Sequence, residues 1–194
     1  VILDGQHRST AFAKLIATGK YQNLIPNVHV RDIENVGEYL VDINNVGSSW
    51  DKKDRLVVAS LTSNDELFQN VAKLLNEGFN PTTAMLIYTG KSLSDKQINN
   101  VLQGETYTLP KDAEINIERG NMFINLCKAT KMDVSFITKR YFINGFNSYA
   151  VSTSEEQAFK ALDNLKYKNY KEDKWKGVKS ENDFIKILKE TLEA

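Results

Sequence analysis

Val1-Ile2-Leu3-Asp4-Gly5-Gln6-His7-Arg8 opens the chain and indicates the fold expected for its first third. Its apolar run is followed by Asp4-Gly5, a pair that favours a turn, and then apolar residues recur at helical spacing as far as Ile16. The stretch therefore predicts a strand, a tight turn and a helix. A second apolar run that ends at Ile33 alternates as strands do. Together these patterns predict a small mixed sheet.

The rest of the chain is patterned for helices. From Gly37 onward apolar residues recur almost entirely at helical spacing. Asn80-Pro81 and Ser94-Asp95 are typical helix starts, whereas Gly90 and Gly104 are typical helix ends. The sequence thus predicts an α+β protein that is predominantly helical.

Two domains are expected, a small sheet domain over residues 1–62 and a helical domain over residues 63–194. Trp50 is expected to be a core anchor where the sheet joins the helices. The chain begins without methionine and inside the first predicted strand. We therefore expect an N-terminally truncated fragment whose missing segment completes the sheet.

Charge and cysteine content narrow the classes of function. Lysine and arginine number 25, as do aspartate and glutamate, so no global field attracts nucleic acid or an anionic membrane. Any DNA contact must be local.

Cys127 is the single cysteine and has no disulfide partner within the chain. With no long apolar run, a cytoplasmic protein without membrane contact is expected.

Basic and aromatic residues are interleaved in residues 166–179, where apolar periodicity is weak and a surface loop is expected. Lysines interleaved with aromatic residues suit phosphate contact and base stacking. A solvated surface is the alternative for such a segment. The candidate nucleic-acid contacts are Lys168, Lys171, Lys174 and Lys176.

The opening turn has the chemistry of an anion site. A glycine between strand and helix allows a tight turn, after which the first free N–H groups of the helix point to one spot. Such a spot suits phosphate. Arg8 adds a bidentate charged donor, His7 a second donor, and Asp4 a helix cap or a metal ligand. A solvated His-Arg pair at a helix start is the alternative.

Residues 3–11, Leu3-Asp4-Gly5-Gln6-His7-Arg8-Ser9-Thr10-Ala11, resemble the DGQHR signature of the ParB/sulfiredoxin-like superfamily. They are similar to the Gly-Glu-Arg-Arg-x-x-Ala box of ParB and to the Gly-Cys-His-Arg loop of sulfiredoxins. Those boxes contact CTP and ATP phosphates respectively. The resemblance implies ATP or CTP with Mg²⁺ as cofactor. It implies phosphate binding by Gly5, Gln6, His7 and Arg8. Gln6 stands where sulfiredoxin has its nucleophilic cysteine, which excludes sulfinic-acid reduction at this site.

A second stretch, Asp42-Ile43-Asn44-Asn45-Val46-Gly47, followed by Trp50 and Asp54, is similar to the turn that often follows the box in DGQHR proteins. The resemblance offers Asn44 and Asn45, with Asp4, as metal ligands or caps. A plain helix end and turn is the alternative. No dedicated metal site is expected from residue spacing, and no catalytic residue is assigned.

The resemblance implies a ParB-like protein that binds nucleotide phosphates in a bacterial, plasmid or phage DNA-transaction system. It leaves open whether the protein is also an NTPase or a nuclease. Its expected partners are a nucleotide and DNA. The alternative is a non-catalytic DNA-binding or regulatory module that keeps the scaffold without turnover. Fold resemblance alone does not decide between the two.

Overall fold

The computed structural model of the chain describes residues 6–19, 32–37, 39–40, 42, 50–130, 132–168 and 170–192, and at residues 6–8 the backbone alone. These residues are predominantly helical. The helices are α1 (Gln6–Ala17), α2 (Lys52–Thr62), α3 (Glu66–Asn76), α4 (Pro81–Thr89), α5 (Asp95–Leu102), α6 (Ile117–Ala129), α7 (Val134–Ile137), α8 (Arg140–Ser152), α9 (Glu155–Lys168), α10 (Glu172–Lys176) and α11 (Glu181–Leu192). In the described ranges, every helix is too short or too polar to cross a membrane.

The expected small mixed sheet is wrong, because the described residues contain helices and no strand. Residues 1–3 and 28–31 of the predicted strands lie outside the described ranges. Ile33 is described and is not in a strand. Just after it, the Tyr39 N–H donates to the Asn35 carbonyl at 3.1 Å, a helical i to i+4 bond. The backbone hydrogen bonding observed there is therefore local instead of running between strands.

The predicted helix starts and ends are confirmed. The Asn80 side chain accepts from the Thr83 N–H at 2.9 Å, and Pro81 occupies the first helical position of α4. Ser94 and Gln97 form a reciprocal capping box at the start of α5. Gly90 ends α4 in the left-handed conformation with φ of 70°. These boundaries depend on neighbouring residues only, so the local sequence predicts them.

The core is a single cluster of apolar side chains to which α2 through α11 contribute. Helix α8 lies near its centre and packs on α4, α9 and α11. Leu56 and Ala59 of α2 belong to the same core, and α2 packs on α3 and α5. The domain boundary at residue 62 stays a prediction.

Helices α4 and α6 cross at close range because α6 carries Gly120 at the contact. A Cβ atom there would clash with the ring of Tyr88 on α4. The Tyr88 hydroxyl donates to Asn121 Oδ1 at 3.0 Å, and the backbone carbonyl of Tyr88 accepts from the Asn116 N–H at 2.8 Å. This crossing fixes the start of α6 beside the end of α4.

Candidate functional site

The box is only partly within the described residues. Asp4 and Gly5 lie outside them, and α1 begins at Gln6, directly after Gly5. Helix α1 has no acidic residue in its first turn, whereas His7 and Arg8 place basic residues there. The first N–H groups of a helix have no intrahelical acceptor and form its positive end. Nothing acidic within that turn offsets this charge.

The candidate metal ligands or caps, Asp4, Asn44 and Asn45, lie outside the described residues. Among the residues that are described, no three histidine, cysteine, aspartate or glutamate side chains are grouped so as to hold a metal ion.

The surface loop expected over residues 166–179 is wrong. Helix α9 extends to Lys168, and a further turn of helix, α10, spans Glu172–Lys176. Trp175 lies inside the core, with its ring centroid 6.5 Å from that of Phe142 and 5.6 Å from that of Tyr170. The burial of Trp175 orders this segment.

Two of the four candidate nucleic-acid lysines are paired with carboxylates. Lys174 Nζ lies 3.1 Å from Oε2 of Glu190, and Lys176 Nζ lies 3.0 Å from Oε1 of Glu172. A paired lysine is a poorer phosphate ligand, because binding must first break the ion pair. Of the four candidates, Lys168 and Lys171 have no acidic partner among the described residues.

A cleft that the sequence did not reveal lies where α4 and α8 end and α6 and α9 begin. Its volume is about 470 Å³. Arg119 is its central side chain, with Nε donating to Glu155 Oε1 at 3.1 Å and Nη2 donating to Asn147 Oδ1 at 2.9 Å. The guanidinium carbon lies 5.3 Å from the ring centroid of Phe146. Arg119 thus ties α6 to both α8 and α9.

The cleft is acidic. Asp112, Glu114 and Glu155 line it opposite the single positive charge of Arg119. That charge is paired with Glu155, so Asp112 and Glu114 keep no cationic partner within the described part of the chain. The cleft therefore suits a cationic group.

Cys127, the single cysteine, is a core residue without nucleophilic character. It is fully buried on α6, and desolvation raises the pKa of its thiol far above the usual range. Thiolate chemistry requires the ionised form, which such burial disfavours.

Native Cys127 is therefore expected to resist an aromatic disulfide reagent at pH 8, whereas the chain in about 6 M guanidinium chloride should release one equivalent of thiolate at once. Absorbance of the released thiolate measures both reactions. Rapid labelling of the native protein would contradict the burial of this side chain.

Comparisons of the chain with protein-family models, with curated proteins and with solved structures find no match.

Proposed function

We propose that this chain binds the phosphates of a nucleotide at the start of α1, as a ParB-like protein of a bacterial, plasmid or phage DNA-transaction system. One observation carries the proposal: α1 begins at Gln6, and its first turn contains the basic residues His7 and Arg8 and no acidic one. ATP or CTP with Mg²⁺ is the proposed ligand.

The charge of α1 differs from that of most other helices in the chain. Helices α2, α3, α5, α6, α9 and α11 each carry an acidic residue in the first turn, which stabilises the positive end of a helix. Cations at that end are unfavourable by about 0.3–1 kcal/mol unless an anion offsets them. His7 and Arg8 in the first turn of α1 are thus expected to bind an anion.

The four box residues would contribute in different ways. Gly5 would allow the backbone to approach a phosphate closely, and Gln6 would offer its N–H. Arg8 would supply a charged fork of donors, and His7 a donor whose charge changes near neutral pH. Asp4, Asn44 and Asn45 remain proposed caps or ligands for Mg²⁺. The nucleotide supplies the phosphate chain, and Mg²⁺ would neutralise part of its charge.

Arg8→Ala is expected to weaken nucleotide binding by roughly 1.5–3 kcal/mol, or about tenfold or more in Kd, because it removes the strongest charge-assisted donor. Isothermal titration of ATP, CTP and ADP, with and without Mg²⁺, measures the change. Lys14→Ala is the matched control, because Lys14 is an exposed basic residue in the last turn of the same helix. It should leave the affinity nearly unchanged.

Further variants separate charge from geometry. Arg8→Lys should restore only part of the affinity, since lysine lacks the fork, and Gly5→Val should fail by blocking backbone approach. If nucleotide binding depends on pH between about 5.5 and 7.5 in wild type but not in His7→Gln, the dependence is due to His7. Absence of binding by wild type, or equal binding by Arg8→Ala, would overturn the proposal.

Turnover is a separate measurement. Phosphate release from ATP or CTP with Mg²⁺ would identify an NTPase. Binding without release would identify a non-catalytic regulatory module that retains the nucleotide site.

A further inference from the structure

Helix α1 has an apolar face that the core does not cover. Phe12, Leu15 and Ile16 follow one another at i, i+3 and i+4, so they lie on one side of the helix, here called the α1 face. Leu15 is 42% exposed and Ile16 is 40% exposed. No described side chain of α1 is among those that pack on the core.

The length of α1 makes this exposure costly. The helix has 12 residues, and isolated helices of roughly that length are marginal in water. Most helices in proteins are stabilised by packing an apolar face against another element. The α1 face therefore needs a surface that covers it.

A groove between α3 and α6 offers such a surface. Both helices pack on α4, and Glu77 just after α3 pairs with Lys128 in the last turn of α6 at 2.7 Å. The groove begins beside Glu66, the first residue of α3, and has a volume of about 710 Å³. Its α6 wall follows the spacing of one helix face. That wall consists of Ile117, Glu118, Asn121, Met122, Asn125 and Leu126.

The apolar part of the groove is both anchored and accessible. Ile117 and Leu126 are half-buried and pack on the core, which holds them in place. Met122 lies between them on α6 and is 46% exposed. Methionine is unbranched and adapts to the shape of a partner, which makes it frequent at binding surfaces. The groove thus suits the apolar side of another helix.

The charged part of the groove is negative. Glu66 and Glu118 are exposed, and neither has an ion-pair partner in the described part of the chain. The described lining contains no lysine or arginine. Arg119, next to Glu118 in the chain, is paired in the other cleft, and Lys73 of α3 donates to Asn70 Oδ1 at 3.3 Å. A helix without acidic residues is therefore favoured here.

We propose that the groove of one copy of this chain binds the α1 face of a second copy. Helix α1 contains His7, Arg8 and Lys14 and no acidic residue, so its charge is opposite to that of the two groove carboxylates. The α1 of the same chain does not occupy the groove, because none of its described residues lines it. Each of the two surfaces thus offers the other an apolar patch and the opposite charge.

The exchange is reciprocal. Each copy has one α1 and one groove, so two copies can bind each other through two equal contacts and form a closed dimer. Each contact is small, and small interfaces are weak and transient. The phosphate site proposed above uses the first turn of α1, whereas the α1 face lies in its last two turns. The proposal is therefore independent of nucleotide binding.

Sedimentation velocity of the 194-residue chain tests the exchange. The average mass should rise from monomer towards dimer with protein concentration and stop there. Leu15→Ser with Ile16→Ser should raise the dimer Kd by about tenfold or more, as loss of central apolar anchors does. Both residues are exposed in the single chain, so the core stays intact. A wild-type chain that stays monomeric up to millimolar concentration would overturn the proposal.

Met122→Lys tests the groove. It replaces the accessible apolar side chain by a cation that repels the basic α1, so it should weaken the dimer as much as the α1 variant does. Tyr167→Ser is the matched control, because it removes an exposed large side chain on α9, outside both surfaces. It should dimerise like wild type, and circular dichroism should show that all variants are folded. An unchanged dimer in Met122→Lys, or an equal loss in the control, would overturn the proposal.

Methyl NMR of the three methionines locates the contact. The Met122 resonance should move as protein concentration rises, whereas those of Met85 and Met132, which are buried, should not. If Leu15→Ser with Ile16→Ser moves the Met122 resonance in dilute monomer, α1 binds within its own chain and the exchange is overturned. Met122→Lys leaves α1 unchanged, so it should bind nucleotide like wild type and the two proposals fail separately.

Discussion

Trp175→Ala is expected to lower the free energy of unfolding by about 3–5 kcal/mol, as truncation of a large core side chain does. Trp175 is only 2% exposed and packs between Phe142 and Tyr170. Its indole N–H is buried without an acceptor among the described residues, so the loss is one of packing. Urea unfolding followed by circular dichroism measures the change. Trp175→Phe should cost less, because it retains an aromatic ring and removes the unpaired donor.

Trp50→Ala is the matched control, since the chain contains two tryptophans and each variant leaves one. Trp50 is half-buried and is not among the described side chains that pack on the core. Its truncation should cost about 1 kcal/mol or less. Fluorescence supplies a second measurement, because the emission of the remaining Trp175 should be blue-shifted. Equal losses of stability in the two variants, or a larger one for Trp50→Ala, would contradict this assignment of the core.

The two tryptophans show that sequence patterns do not predict which tryptophan is buried. Trp50 was expected to be a core anchor because it follows a turn and precedes a helix. Trp175 falls in the predicted surface loop because residues 166–179 are rich in lysine and tyrosine and have little apolar periodicity. Helix α10 has only five residues, and a single turn with one buried side chain has no apolar periodicity to detect. The packing of Trp175 depends on residues distant in sequence.

Helix boundaries were predictable because caps act over three or four residues. Asn80, Ser94 and Gly90 all have the roles that their neighbours indicate. The prediction of a mixed sheet is wrong for a different reason. A strand requires a partner strand, and an alternating apolar run does not specify one. Ile33 is not in a strand, and helical bonding begins at Asn35.

The Arg119 cleft had no signal in the sequence. Its donors and acceptors come from a loop and from four helices that meet only in the folded chain. Arg119 becomes distinctive only through its bonds to Asn147 and Glu155. Tertiary packing alone creates such a site. The box, in contrast, is contiguous in the sequence and stays a prediction.

Phe146→Ala is expected to lower the free energy of unfolding by about 3–5 kcal/mol and to loosen the cleft. Phe146 is fully buried on α8, and its ring centroid lies 5.1 Å from that of Phe123 and 4.9 Å from that of Phe159. The same ring supports the guanidinium of Arg119. Val151→Ala is the matched control, because it truncates an exposed residue of the same helix and should change stability by less than about 0.5 kcal/mol.

The milder variant Phe146→Leu should stay folded and lose about 1–1.5 kcal/mol, the usual range for a hydrophobic exchange in a core. It removes the aromatic face beneath Arg119, so the Arg119 Nε–H resonance should move and exchange faster with water. Nitrogen-edited NMR of the arginine side chains measures this, with Arg55 as the internal reference because it lies on α2. If Val151→Ala costs as much stability as Phe146→Ala, the Phe146 ring does not support the core. If the Arg119 resonance is the same in Phe146→Leu and wild type, the ring does not support Arg119 in the cleft.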